Sequence, residues 1–238
     1  LTALEFGETL TPQTADLLTV VAPVGMQPAI PTTPQRTLVG NPAPGFDVEA
    51  NYRVMPMIRN FSDPRATDPD TVTGIINNSE LRTEHVQQLV AFTSAGAYDG
   101  LIIDYRDIPV DARAALSRFI TELGAELHAF DLTLAVVVPP AEVVAGVWET
   151  GAYNWRRIGA AADHVIVDLP VNPTAYAPGE DRIVEAMVRW AVGEVSRYKL
   201  VAGLSALSQR EVAGTFSPIG YDAALAALGD VSLDVSAT

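Results

Sequence analysis

Short apolar segments alternate with longer amphipathic segments along most of this chain. The apolar segments predict strands at 16–23, 52–58, 101–104, 132–138, 164–168 and 199–204, and weaker candidates lie at 3–6 and 231–235. The amphipathic segments predict helices at 68–77, 79–95, 141–148, 153–162, 181–197, 209–214 and 221–228, and a long helix that starts at 111. Strands and helices therefore follow one another in a regular order.

Residues that start or break regular structure support these boundaries. Asp68 precedes Pro69, which is the usual arrangement of a helix cap and a first helical position. Pro56 lies inside the strand predicted at 52–58, where it removes one backbone hydrogen-bond donor. The segment 23–45 is rich in Pro, Gly and Thr and has no period, so it predicts a long loop.

The alternation of strands and helices predicts a parallel sheet covered by helices. About seven or eight strands favour an α/β fold of the closed (β/α)8 TIM-barrel type over an open doubly wound sheet. The first and last strands are the irregular ones, so an incomplete barrel is the alternative. We expect residues 1–238 to form one domain, because such a barrel takes about 250 residues.

Composition excludes several classes of partner and site. The formal net charge of −14 disfavours nucleic acid and anionic membranes as partners, and no apolar run reaches the roughly 18 residues of a membrane span. The chain has no cysteine, which excludes disulfides and thiolate metal sites and is compatible with an exported protein. Because the chain starts at Leu1, we expect a mature or excised piece from which a targeting signal has been removed. No spacing of residues predicts a metal site, and we expect no cofactor.

The candidate chemistry lies where the predicted strands end. Asp104 ends the strand centred on 101–103, and Asp107 follows in the next turn. Asn60 and Asp168 end two other strands and are also expected at the mouth of the barrel. Alternation along a strand turns Asp107 away from the face of Arg106 unless the chain has already left the strand there. His85 and His128 lie on predicted amphipathic helices and are expected to be surface or helix-face residues rather than ligands. Trp148, Trp155 and Trp190 are candidate platforms for sugars, but Trp155 and Trp190 fit packing positions better.

The segment 99–106, which reads Asp-Gly-Leu-Ile-Ile-Asp-Tyr-Arg, resembles the fourth-strand signature of glycoside hydrolase family 18. That signature is Asp-Gly-x-Asp-x-Asp-x-Glu. Segments 151–163, 178–179 and 199–203 also resemble this family, in the right order and closest to its branch of spore-cortex and peptidoglycan N-acetylglucosaminidases. The resemblance implies the barrel fold and a polysaccharide of the chitin or peptidoglycan type as partner.

The chain departs from the family at the acidic positions of the signature. Asp99 and Asp104 match the first and third acids, but Ile102 replaces the second and Arg106 replaces the glutamate that acts as general acid in the family. An arginine does not release its proton at any useful pH. The family tyrosine that holds the substrate acetamide is also absent beside Asp168. We therefore expect a degenerate signature in which Asp104 and Arg106 form an ion pair.

These observations predict a non-catalytic, glycosidase-like module outside the cell or in the cell envelope. It would bind an amino-sugar polymer or act as an interaction platform for other domains of a larger chain. The residues expected to bind substrate are Asp99, Tyr105, Arg106, Asn60 and Asp168. Two alternatives stay open: a divergent active glycoside hydrolase of N-acetylglucosamine polymers, with Asp104 and Asp107 as catalytic groups, and a purely structural domain.

Overall fold

The structure, a computed structural model, describes residues 18–31, 36–41, 51–63, 66–176, 182–204, 208–213 and 215–228. The strands are β1 (Val20–Val21), β2 (Met26–Pro28), β3 (Leu38–Gly40), β4 (Arg53–Val54), β5 (Met57–Arg59), β6 (Gly100–Asp104), β7 (Thr133–Val138), β8 (Glu142–Val144), β9 (Val147–Glu149), β10 (His164–Asp168), β11 (Leu200–Gly203), β12 (Ser208–Val212) and β13 (Thr215–Ile219). The helices are α1 (Pro69–Asn77), α2 (Ser79–Ala95), α3 (Arg113–His128), α4 (Trp155–Ala161), α5 (Ile183–Glu194) and α6 (Tyr221–Leu228). Strands predicted at 3–6 and 231–235 lie outside the described residues.

The central sheet has seven strands in the order β11-β10-β7-β6-β5-β2-β3. All neighbours in it are parallel except β2 and β3, and the short strands β1 and β4 form a separate parallel pair. The α/β class and the parallel sheet are therefore confirmed. Among the described residues the sheet is open, with β11 and β3 at its edges, so closure into a complete barrel stays a prediction.

Side chains of the sheet separate into two cores because neighbouring residues of a strand point to opposite faces. Leu101 and Ile103 pack under the helices, together with Phe119 and Leu123 of α3. Ile102 belongs to a smaller apolar cluster on the other face, which lines the inside of the curved sheet. Asp104 continues the inner row, so the alternation carries it towards the mouth of the barrel.

Two predicted helices are β-hairpins instead. Residues 141–148 form the antiparallel strands β8 and β9, joined at Ala145 and Gly146, whose φ angles are 50° and 81°. Two successive residues with positive φ are typical of the tight turns that match the twist of a hairpin. Of the helix predicted at 209–214, residues 209–212 belong to a second antiparallel pair, β12 and β13. The loop predicted at 23–45 likewise contains the pair β2 and β3.

The helices predicted at 68–77 and 79–95 are confirmed. The Asp68 carboxylate accepts a hydrogen bond from the Thr71 amide at 3.0 Å and caps α1, as the sequence predicts. Helix α5 lies within the helix predicted at 181–197, and it buries only Met187 and Ala191, whereas Ile183, Val188 and Val192 are about half exposed. None of the helices in the described ranges is long and apolar enough to cross a membrane.

Candidate functional site

Polar side chains gather where the parallel strands of the sheet end. Arg59 is the last residue of β5 and pairs in register with Asp104, the last residue of β6. Asp168 ends β10, which is separated from β6 only by β7. Because all these strands are parallel, their carboxyl ends meet at one edge, where barrels of this class hold their ligands.

Arg106 binds Asp104 through three hydrogen bonds. Nε of Arg106 donates to Oδ1 of Asp104 at 2.9 Å and to Oδ2 at 3.2 Å, and Nη2 donates to Oδ2 at 2.9 Å. Nη2 of Arg106 also lies 3.5 Å from Oδ2 of Asp168. The guanidinium therefore occupies the space in front of Asp104 and reaches the neighbouring carboxylate.

Asp104 is shielded from solvent. The residue is 2% exposed, and burial raises the pKa of its carboxyl above the usual value. Hydrogen bonding and the positive charge of Arg106 oppose this rise in pKa and stabilise the carboxylate form. A buried carboxylate that has a bidentate guanidinium partner is compensated for its lost hydration, whereas one without such a partner is not.

The backbone of Arg106 is held by Asn60. The Asn60 side chain accepts a hydrogen bond from the Arg106 amide at 2.8 Å and donates one to its carbonyl oxygen at 3.0 Å. The ring of Phe61 lies 4.7 Å from the Arg106 guanidinium carbon and 4.9 Å from that of Arg59. Asn60 and Phe61 are 3% exposed, so both position the arginine from inside the fold.

Asp107 turns back towards the mouth. Its φ angle is 57°, which breaks the alternation of the strand, and its Oδ2 accepts a hydrogen bond from the Thr67 hydroxyl at 2.6 Å. The residues that enclose the mouth pocket, which has a volume of about 190 Å³, are Asp104, Tyr105, Arg106, Asp107, Val137, Pro139, Pro140, Tyr153 and Asp168. Three carboxylates and one guanidinium therefore share this pocket.

The structure corrects the prediction that Asp99 binds substrate. Oδ2 of Asp99 accepts a hydrogen bond from the Val54 amide at 2.7 Å, and the Asp99 amide donates to the Val54 carbonyl at 3.0 Å. Asp99 precedes β6, whereas Asp104 ends it, so roughly 16 Å of strand separates the two. Asp99 therefore joins the start of β6 to β4, at the end of β6 opposite the mouth.

The structure also corrects the prediction that the Tyr105 side chain binds substrate. Its side chain is on the helix-facing row with Leu101 and Ile103, and the residue is 2% exposed. Its hydroxyl lies 2.7 Å from Nε2 of His85. Tyr105 reaches the mouth through its backbone, whose carbonyl oxygen accepts a hydrogen bond from the Tyr153 hydroxyl at 2.6 Å. The phenol is therefore a packing group rather than a ligand-binding one.

His85 is fully buried, so of the two positions expected for it, surface or helix face, it takes the face that packs inside the fold. Its Nδ1 lies 3.0 Å from the Thr37 hydroxyl, so the imidazole links β6 to the segment that precedes β3. Burial lowers the pKa of His85 to about 3. The spacing of Arg82, His85 and Leu89 on α2 would have identified this buried face, because the three share one side of a helix.

Tyr153 was not among the residues predicted for the site. It comes just before α4 and is 5% exposed, and it lines the mouth pocket beside Asp104. Burial raises the pKa of its phenol above the usual value. Within the described ranges, no group of three or more His, Asp or Glu side chains is arranged to hold a metal ion.

Solved structures provide the comparisons for this chain. A chitinase from Chromobacterium violaceum matches with a TM-score of 0.73 and 22% identity, over 91% of this chain and 70% of that one. The spore cortex-lytic enzyme SleL of Bacillus megaterium matches with a TM-score of 0.73 and 15% identity, over 95% of this chain and 56% of that one. A class V chitinase from Pseudomonas fluorescens matches with a TM-score of 0.63 and 24% identity, over 75% of this chain and 56% of that one.

These matches establish the fold. They are glycoside hydrolases of the family 18 type, and the fold that the segment 99–106 suggests is confirmed. The chain is equivalent to little more than half the length of SleL and of the Pseudomonas fluorescens chitinase. Comparison with protein-family models gives no match, and comparison with curated proteins gives none either.

Proposed function

We propose that this chain, which has the fold of family 18 glycoside hydrolases, is a module that holds an amino-sugar polymer without cleaving it. The observation that supports this most directly is the bidentate contact between Arg106 and Asp104. In the family 18 signature that residues 99–106 resemble, the position of Arg106 is that of the general acid. The chain would be one domain of 1–238 within a larger protein.

Glycoside hydrolysis needs a carboxylic acid that donates a proton to the leaving oxygen. Arg106 cannot be that acid, because a guanidinium keeps its proton at any useful pH. Both carboxylate oxygens of Asp104 accept hydrogen bonds from Arg106, so Asp104 is held as the charged partner of an ion pair. The Asp107 carboxylate accepts a hydrogen bond from the Thr67 hydroxyl and is held at the edge of the pocket.

The mouth keeps groups that suit sugar hydroxyls. The side chain of Asp168 is 49% exposed and that of Arg106 is 34% exposed, and both line the mouth pocket. Charged acceptors and planar donors fixed in a pocket form strong, directional hydrogen bonds with a polar ligand. These groups support binding, whereas the Arg106–Asp104 contact opposes turnover.

The structural neighbours favour chitin or peptidoglycan as the polymer. Two of them are named as chitinases and one as a spore cortex-lytic enzyme. A polymer of this kind places the module outside the cell or in the cell envelope. Other domains of the parent protein would supply any catalysis, and this module would keep them near the polymer.

A binding assay and a turnover assay together test the proposal. Wild-type protein should sediment with insoluble chitin or with peptidoglycan but not with cellulose, which lacks the acetamido group. It should release no chromophore from a chromogenic N-acetylglucosamine oligomer. Binding to cellulose alone would contradict the proposed polymer, and binding to none of the polymers would leave the purely structural domain.

An active hydrolase is the second candidate, because Asp104, Asp107 and Asp168 converge on one pocket. Pairs of carboxylates are the groups that glycosidases use. The variant Asp104→Asn separates the two candidates. Release of chromophore by the wild type that disappears in Asp104→Asn would establish the hydrolase and overturn the non-catalytic assignment.

A further inference from the structure

The outer surface of the β8–β9 hairpin carries two valines side by side. Val144 pairs with Val147 across the hairpin, so both side chains lie on one face, and they are 55% and 60% exposed. Val143 pairs with Trp148 on the opposite face. The Trp148 ring stacks on that of Trp190 in α5 at a centroid distance of 5.6 Å. One face of the hairpin therefore packs on α5, and the face of Val144 and Val147 points away from that helix.

Two carboxylates border these valines. Glu142 pairs with Glu149 across the hairpin, two residues from Val144 and Val147 on each strand, so strand alternation places them on the same face. Both glutamates are exposed. We call this set of four residues the outer hairpin face. Its two carboxylates, in a chain with a net charge of −14, disfavour an anionic membrane as its partner.

Helix α5 carries a second pair of exposed valines. Val188 and Val192 are 46% and 48% exposed, whereas Met187 and Ala191 are buried. Side chains four positions apart on a helix are neighbours at about 5–6 Å. Directly opposed side chains of a hairpin are about 4.5–5.5 Å apart. The valine pair of α5 therefore matches that of the hairpin in size and spacing.

The charge beside the α5 valines is opposite to that of the hairpin. Arg189 follows Val188 directly, and its side chain is 78% exposed. Arg189 and Arg182 both bind the Glu185 carboxylate, at 2.6 Å and 3.0 Å. Two guanidinium groups share one carboxylate, which leaves an excess of positive charge on this part of an acidic chain. We call Val188, Val192 and Arg189 the α5 face.

These two faces match each other but do not meet within one molecule. The Trp148–Trp190 contact holds the opposite face of the hairpin against α5, so the outer hairpin face points away from its own α5 face. A second copy of the chain brings the carboxylates of Glu142 and Glu149 to Arg189 and the two valine pairs together. Hairpin against hairpin would instead gather four carboxylates, and like charges across an interface are unfavourable.

We propose that the outer hairpin face of one copy docks on the α5 face of a second copy, so that the chain forms a twofold dimer. The hairpin and α5 are neighbours in the fold, so a twofold rotation that seats one hairpin also seats the other. The centre of each contact is apolar, and Glu142, Glu149 and Arg189 at its rim direct the association. The inference does not depend on a ligand at the mouth.

Sedimentation velocity across a range of protein concentrations tests the inference. Wild-type protein should convert reversibly from monomer to dimer as its concentration rises. Val144→Asp and Val188→Asp each place a charge in the apolar contact, and each should weaken dimerisation about tenfold or more. Val110→Asp changes a similarly exposed valine outside both faces and should leave dimerisation unchanged. Circular dichroism should show the same fold for all three variants, because the three side chains are exposed.

Mixing two variants identifies the partner of each face. In a twofold dimer, Val144→Asp damages both hairpin faces and Val188→Asp damages both α5 faces. A mixed dimer of the two variants keeps one contact intact, between the hairpin of the Val188→Asp copy and the α5 face of the Val144→Asp copy. The mixture should therefore dimerise more strongly than either variant alone.

A matched pair of substitutions tests the charges. Glu149→Gln removes one carboxylate from the outer hairpin face, whereas Glu149→Arg places a guanidinium opposite Arg189. Dimerisation should weaken slightly in Glu149→Gln and about tenfold in Glu149→Arg. This pair keeps the test decisive if Val144→Asp fails to fold, because neither substitution changes the apolar contact.

The other outcomes overturn the inference. A wild type that stays monomeric at millimolar concentration has no such interface. A dimer that Val144→Asp dissociates but Val188→Asp leaves intact pairs hairpin with hairpin, and a dimer that survives both variants uses another surface. Equal effects of Glu149→Gln and Glu149→Arg would contradict the charge complementarity. The proposed function is tested separately by sedimentation with the polymers, so either can fail without the other.

Discussion

The guanidinium of Arg106 binds both carboxylate oxygens of Asp104, which precedes it by two residues on the same inward-facing row. Asn60 forms two hydrogen bonds with the Arg106 backbone, so Asn60 holds the backbone of Arg106 while Asp104 holds its side chain. The contact satisfies a carboxylate that is almost completely buried. In the signature that residues 99–106 resemble, Arg106 takes the place of a glutamate.

Removing only one partner of this pair should destabilise the protein. Arg106→Met leaves the Asp104 carboxylate buried and uncompensated, and we expect a loss of about 3 kcal/mol in the free energy of unfolding at pH 7. The value is at the low end of the usual range because the Arg106 side chain is 34% exposed. Urea denaturation of the wild type and of Arg106→Met measures this loss in the free energy of unfolding.

The pH dependence and a double variant check this explanation. A carboxyl whose folded pKa lies above its unfolded pKa takes up a proton on folding, so stability falls as pH rises through that interval. Arg106→Met raises the Asp104 pKa further, and its loss relative to the wild type should shrink at acidic pH. Asp104→Leu combined with Arg106→Met should recover most of the stability. An equal loss in single and double variants would contradict the ion-pair explanation.

Restoring the acid alone should not restore hydrolysis. Arg106→Glu places a carboxyl at the position of the general acid, but Ile102 still replaces the second acid of the signature and the acetamide tyrosine is still absent. We expect no turnover of a chromogenic N-acetylglucosamine oligomer above that of the neutral control Arg106→Gln. A rate about 10²-fold or more above that control would show that the other two losses matter little.

His85 should make the protein sensitive to acid. Its folded pKa of about 3 lies below the ordinary value of 6.5, so the unfolded state binds the extra proton and stability is lost as pH falls below 6.5. We expect a loss of roughly 3 kcal/mol from this group between pH 6.5 and pH 4. His85→Gln, which does not titrate, should remove this slope from unfolding curves measured at several pH values.

Tyr105→Phe is the matched control for His85. It removes the hydroxyl that contacts Nε2 of His85 but leaves the imidazole buried, so the slope with pH should remain. If His85→Gln keeps the same slope as the wild type, another group is responsible for the acid sensitivity.

Asp99 should matter for stability and not for binding. Asp99→Ala leaves the Val54 amide without its side-chain acceptor, and we expect a loss of about 1–2 kcal/mol in the free energy of unfolding. Affinity for insoluble chitin or peptidoglycan should be unchanged, because Asp99 lies at the far end of β6. Asp168→Ala, at the mouth, should show the reverse pattern, and a loss of binding in Asp99→Ala would restore it as a site residue.

Much of the fold follows from local sequence patterns. The helices at 68–77 and 79–95 could be predicted because the Asp68 cap and the apolar spacing act within a few residues. The inward row of Ile102, Asp104 and Arg106 follows from the period of a strand, and so does the expected ion pair. The segment 141–148 was misread because a short apolar run suits a helix or a hairpin, and the positive φ angles of Ala145 and Gly146 decide between them.

The sequence by itself determined the alternation of strands and helices and the residues available at the end of β6. Only the tertiary structure decided that Asp99 binds Val54, that His85 is buried against Tyr105 and that Asp107 turns towards the mouth. Each of these contacts joins residues 20 or more positions apart. Local periodicity places a residue on a face of its own element, whereas the partner it meets depends on how the elements pack together.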